Sequence, residues 1–142
     1  MDMDPYKRGL IKRVPCAKKS RVLSKLVAIM DMEVKKRSLQ LISSYTRALL
    51  KNEIHELIIT DEKGAGPGKK VDNISYLGFV EIEKGGVAAA GDKVSLEGKI
   101  IGEVAGFDET HMPNHWNIII KSSKKATGTE LNASVGGEVI FG

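Results

Sequence analysis

Ser38-Leu39-Gln40-Leu41-Ile42-Ser43-Ser44-Tyr45-Thr46-Arg47-Ala48-Leu49-Leu50-Lys51 is the stretch whose reading decides the fold. Leu39, Leu41, Ile42, Tyr45, Ala48, Leu49 and Leu50 fit a broad helical stripe, and Ser38 can cap the first turn by accepting an amide proton. Asn52 tolerates the left-handed conformation that closes a helix. The spacing therefore predicts one principal helix over about residues 38–51.

Outward from that stretch the chain reads as strand. On the N-terminal side, Leu26-Val27-Ala28-Ile29-Met30 is a short apolar run that suggests a strand buried on both faces. On the C-terminal side, Ile54-His55-Glu56-Leu57-Ile58-Ile59-Thr60 is rich in β-branched residues and ends at Asp61-Glu62. Gly64-Ala65-Gly66-Pro67-Gly68-Lys69-Lys70 follows as a mobile basic connection. It is not a phosphate-binding loop, because Lys63 stands where that motif needs its first glycine and Lys70 where it needs Ser or Thr.

From residue 74 the reading is β throughout. Ile74, Tyr76, Val80 and Ile82 alternate with Ser75 and Glu81, and Gly78 marks a bulge or a close backbone approach. Val94 and Leu96 turn at Glu97-Gly98-Lys99 into Ile100, Ile101, Val104 and Phe107, a strand interrupted by Gly102 and Gly106 as coiled sheets require. Residues 116–120 and 136–141 supply two more strands. Short strands, glycine turns and one helix imply an α+β, mainly β domain: a small twisted β-barrel with one principal helix.

A length of 142 residues suits one domain over residues 22–142, preceded by a basic N-terminal extension over residues 1–21. Eight Lys and Arg side chains face only Asp2 and Asp4 in the first 25 residues, a local charge of +6, so the rest of this +4 chain sums to −2. Such an arm could bind nucleic-acid phosphates or an anionic surface, but Tyr6 is its only aromatic, which disfavours base stacking. No run approaches the roughly 18 apolar residues of a membrane helix. No signal-peptide pattern appears, and a single cysteine, Cys16, agrees with a reducing compartment. The expected location is cytoplasmic, with no membrane partner.

Functional chemistry concentrates in Phe107-Asp108-Glu109-Thr110-His111-Met112-Pro113-Asn114-His115-Trp116-Asn117. Asp108, Glu109, His111 and His115 are ligand types that a divalent metal such as zinc accepts, with His111 and His115 the first candidates. Their spacing of four suits a helical face, yet Pro113 disfavours that helix and leaves an irregular loop. The metal-free alternative makes His111 an acid–base group oriented by Asp108 or Glu109, with Asn114 and Asn117 binding a polar ligand and Trp116 walling it. Turn formation and core filling account for the same residue types without any ligand. His55, alternating with Leu57 and Ile59, reads as a strand histidine that joins the site only if its strand packs against this loop.

Glu53-Ile54-His55-Glu56-Leu57, Tyr76-Leu77-Gly78-Phe79-Val80-Glu81-Ile82-Glu83 and Gly106 to His115 resemble the corresponding phrases of a family of small uncharacterised prokaryotic proteins, a domain of unknown function. The likeness spans about residues 22–142 and implies no activity, cofactor or substrate. The sequence thus points to a small-ligand or divalent-metal-binding domain, with catalysis an option, whose site lies in the 107–117 loop. The alternatives are a nucleic-acid or anion-binding module using the basic arm, and a structural or assembly protein. Homo-oligomerisation through exposed strand edges fits any of these.

Overall fold

Two continuous apolar runs, Leu57-Ile58-Ile59 and Ile118-Ile119-Ile120, set the architecture, because a strand without polar alternation must be covered on both faces. In the computed structural model, which describes residues 19–142, these runs lie side by side as the only parallel ladder, Glu56 opposite Asn117 through Thr60 opposite Lys121. Among the described residues every regular element is a strand: β1 (Val22–Ile29), β2 (Glu33–Val34), β3 (Leu39–Gln40), β4 (Thr46–Leu49), β5 (Ile54–Thr60), β6 (Lys70–Val71), β7 (Ile74–Lys84), β8 (Gly86–Ala89), β9 (Lys93–Leu96), β10 (Lys99–Asp108), β11 (Asn117–Lys121) and β12 (Glu138–Phe141). No helix long and apolar enough to cross a membrane occurs among them.

The expected helix over residues 38–51 is not formed. Leu39 and Leu41 are buried while Gln40 is exposed, and Leu49 is buried between exposed Ala48 and Leu50, so the operative period is two. The same apolar positions satisfy both periods, and available partners decide between them. Leu39 and Gln40 pair with Val71 and Lys70, Leu41 bridges to Asp108, and β4 pairs with β8. Tyr45 and Leu50, which a helical stripe would bury, are 63% and 61% exposed. Ser38 is no N-cap: it has φ +55°, outside the extended region a capping residue uses, and its amide donates to Asp72 Oδ1 at 3.1 Å. Asn52 does adopt positive φ, but within the tight turn between β4 and β5.

The expected β-barrel is likewise corrected. The main sheet has eight strands in the order β1-β12-β9-β10-β11-β5-β7-β2, and β1 also meets β7, giving a partial ring. It is not a barrel: β2 continues the sheet past β7, and the ribbons β3–β6 and β4–β8 stand outside it as separate two-stranded sheets. The reason lies in β7, whose eleven residues are longer than either partner on that edge. β1 takes residues 78–84 and β2 takes residues 74 and 75.

Glycines and bulges bend this sheet as expected from the sequence. Register shifts fall at Ile100/Gly102 and Val104/Gly106 in β10. At Gly78 the backbone of β7 crosses that of β1 so closely that any Cβ would collide with the Ala28 carbonyl. β1 itself, expected to be covered on both faces, buries Val22, Ser24 and Leu26 but leaves Val27 exposed.

The covered sheet separates two apolar clusters. One contains Leu57, Ile59, Val80, Ile82, Phe107, Ile118, Ile120 and Phe141. The other contains Ile58, Ile74, Tyr76, Ala105 and Ile119 with Leu39, Leu41, Ala65 and Val71 from the covering segments. The Gly64–Lys70 connection, expected to be mobile, is pinned over this second cluster. Ala65 is buried and its carbonyl accepts from Lys121 Nζ at 3.1 Å, while the Gly68 amide donates to the Ile42 carbonyl at 2.9 Å.

Phe107 is wholly buried in the first cluster. Phe107→Ala is expected to destabilise the protein by about 3–5 kcal/mol through lost transfer energy and a residual cavity, measured by urea unfolding. Val135→Ala, at a 69% exposed position, is expected to stay within about 0.5 kcal/mol of wild type.

Candidate metal centre

The register of four strands builds the floor of the site. Phe79 of β7 faces Glu56 of β5, Glu56 faces Asn117 of β11, and Asn117 faces Asp108 of β10. Cross-strand partners share a face, so these four side chains form one row across the sheet. Three of them are polar and nearly buried: Glu56, Asn117 and Asp108 are 6%, 1% and 2% exposed. Arg37 contributes a positive charge to Glu56, and its Nε lies 3.3 Å from Tyr76 Oη.

The segment joining β10 to β11 forms the roof. Its amides close tight turns, with Met112 donating to Glu109, Asn114 to His111 at 2.8 Å, and His115 to His111 at 3.3 Å. This last bond closes an irregular turn that contains the cis Met112–Pro113 peptide, and the rings of His111 and His115 stack with centroids 5.0 Å apart.

Glu56, His111 and His115 each bring one ligand atom to a common point, all within 4.8 Å of one another. His115 is the best defined. Its Nδ1 lies 2.7 Å from Asn114 Oδ1, an acceptor, so Nδ1 carries the proton and Nε2 presents a lone pair. That Nε2 is buried, lacks a hydrogen-bond partner, and stands 3.9 Å from Glu56 Oε1. The edge of the ring contact with Phe79, at 5.3 Å between centroids, fixes its tilt. Burial lowers the His115 pKa, and the neighbouring His111 and His55 lower it further.

The remaining residues of the loop have other partners. Asp108 accepts from the Thr110 amide and hydroxyl and from Asn117 Nδ2 at 2.8 Å. Glu109 is exposed and outside the three-residue cluster. Trp116 packs on the first apolar cluster, edge-on to Phe107, with the Arg47 guanidinium 4.6 Å above its ring. Cys16 lies outside the described residues.

His55 fulfils the condition set for it, since its strand does pack against this loop. The Trp116 amide donates to His55 Nδ1 at 3.0 Å, and the Glu56 amide donates to the Trp116 carbonyl at 3.0 Å. Nδ1 is therefore an acceptor, and Nε2 carries the proton toward Glu53 Oε1 at 3.0 Å. Partial burial pushes Glu53 up, but the Leu50 amide and His55 outweigh it and hold its carboxyl below the usual range. His55 anchors the end of the loop and is not one of the three clustered ligand types.

Glu56 is the residue that sequence reading missed. The available signal was a carboxylate inside a run buried on both faces, where an ionised group is costly unless something neutralises it.

A family comparison covers nearly all of this arrangement: a family of unknown function (DUF6917) matches residues 16–142. The chain belongs to that family. The family match thus includes every residue of the row and of the histidine turn, in line with the resemblance read from the same phrases. No curated protein and no solved structure matches the chain.

Burial pushes the Glu56 carboxyl up to about 7, against the opposing charge of Arg37. A raised carboxyl holds its proton more tightly when folded, so the associated stability is full at low pH and is lost as pH rises through about 7. Glu56→Gln cannot ionise. In metal-free protein it is expected to raise Tm at about pH 8 and to change it far less at about pH 4, by scanning calorimetry; a lower Tm at the higher pH would contradict the sign.

Proposed function

We propose that this protein binds a divalent transition metal through Glu56, His111 and His115, and that the metal keeps open positions for a small polar ligand. The observation that carries this reading is the His115 Nε2 lone pair, buried without a partner and directed at Glu56 by a ring locked through Asn114. Metal-bound histidines commonly donate their other ring proton to such an outer partner, which Asn114 provides here. Two ligand atoms each about 2.1 Å from a tetrahedral metal are roughly 3.4 Å apart, so the Glu56–His115 pair closes by only about 0.5 Å on binding.

Two imidazoles and one carboxylate suit zinc, iron(II) or manganese(II), and three protein ligands leave room for water or substrate. In this reading His111 is a ligand rather than a free acid–base group, and Asp108 acts through Asn117. Any catalysis would use the metal as a Lewis acid on the ligand in the open position.

Isothermal titration with zinc and elemental analysis of the dialysed complex test the proposal, with one metal per chain expected. His111→Ala combined with His115→Ala is expected to abolish stoichiometric binding, and Asn114→Ala to weaken it by about tenfold. Affinity is expected to fall as pH drops through about 7, because the Glu56 proton must leave before the metal enters. A wild-type protein that takes up no zinc, iron(II) or manganese(II) at about pH 8 sinks the reading.

A further inference from the structure

Asn117 stands between the two carboxylates of the row, opposite Asp108 on one side and Glu56 on the other. Its Nδ2 donates to Asp108 Oδ2 at 2.8 Å, and that carboxylate is itself held by the Thr110 amide and hydroxyl. The amide is thereby oriented. With Nδ2 turned to β10, Oδ1 is turned away from Asp108. A flipped amide would set two acceptors against each other, so this orientation is the only one the Asp108 contact permits. Asn117 is 1% exposed, and its Oδ1 is buried with no hydrogen-bond partner.

A buried acceptor left without a donor is costly, and Glu56 offers none once it has lost its proton to hold a metal, since a carboxylate only accepts. His115 Nε2, the other unpartnered atom beside Glu56, is also an acceptor in the tautomer fixed by Asn114. With Glu56 ionised as a metal ligand, Asn117 Oδ1 is left as a buried acceptor to which the molecule in the metal's open position can supply a donor.

We propose that Asn117 Oδ1 selects the ligand of the metal by accepting a hydrogen bond from it, so that the centre prefers ligands with an N–H or O–H donor beside the oxygen they give to the metal. Water, primary and secondary amides, hydroxamates and 2-hydroxy acids belong to this class; azide and N-alkylated analogues do not. Asn117 is a specificity-determining residue in this scheme, and Asp108 and Thr110 are positioning residues that act through it. The proposal rests on the metal reading above.

Cobalt(II)-loaded protein provides the test, because cobalt d–d absorption reports both metal uptake and exogenous ligands. Acetohydroxamate and N-methylacetohydroxamate offer the same two oxygens and differ in the N–H. Wild type is expected to bind the first about tenfold more tightly, the worth of one hydrogen bond in a buried site. Asn117→Leu is expected to retain cobalt and to lose the preference between the hydroxamates. Should that variant fail to fold, the wild-type ratio still decides, since equal affinities for the two hydroxamates overturn the proposal. An unchanged preference in folded Asn117→Leu overturns it as well. Wild-type protein that binds no cobalt overturns the metal reading and this proposal together, whereas cobalt binding without hydroxamate preference overturns this proposal alone.

Discussion

The parallel pairing of β5 with β11 is the constraint on which the rest depends. Each strand carries three consecutive large aliphatic residues, so each must be covered on both faces, and neither can sit at a sheet edge. Their register places Glu56 opposite Asn117, brings the Trp116 amide to His55, and holds the histidine turn above Glu56. Antiparallel partners β7 and β10 then extend the row to Phe79 and Asp108. A shift of one residue would turn Glu56 and Asn117 to the opposite cluster.

Two adjacent residues divide the labour at this point. His55 faces the first apolar cluster and is fully satisfied, between the Trp116 amide and Glu53. Glu56 faces the second and is left with a carboxyl held near neutrality by burial. Similar reasoning separates Trp116, packed under Arg47, from its neighbour Asn117, whose buried oxygen has no donor.

Strand positions in the second half of the chain were legible because β-branched alternation and glycine breaks have a single reading there. Residues 38–51 were not, since Leu39, Leu41, Ala48 and Leu49 satisfy both a period of 3.6 and a period of two. Propensity could not arbitrate, because the deciding partners, Val71, Asp108 and Gly86 to Ala89, lie far along the chain. A barrel was inferred from strand number and turn spacing. Neither reports that β7 outruns its neighbours and splits one edge between β1 and β2.

The sequence by itself determined that the chain is strand-rich and that residues 107–117 bring together the ligand types His111 and His115. These are local properties of composition and spacing. Tertiary structure alone decided that residues 38–51 form no helix, that the sheet closes only partly, and that the third member of the cluster is Glu56. That carboxylate meets His115 across 59 positions of sequence through a parallel ladder, and only pairing, not periodicity, specifies which residue of one strand lies opposite which residue of another.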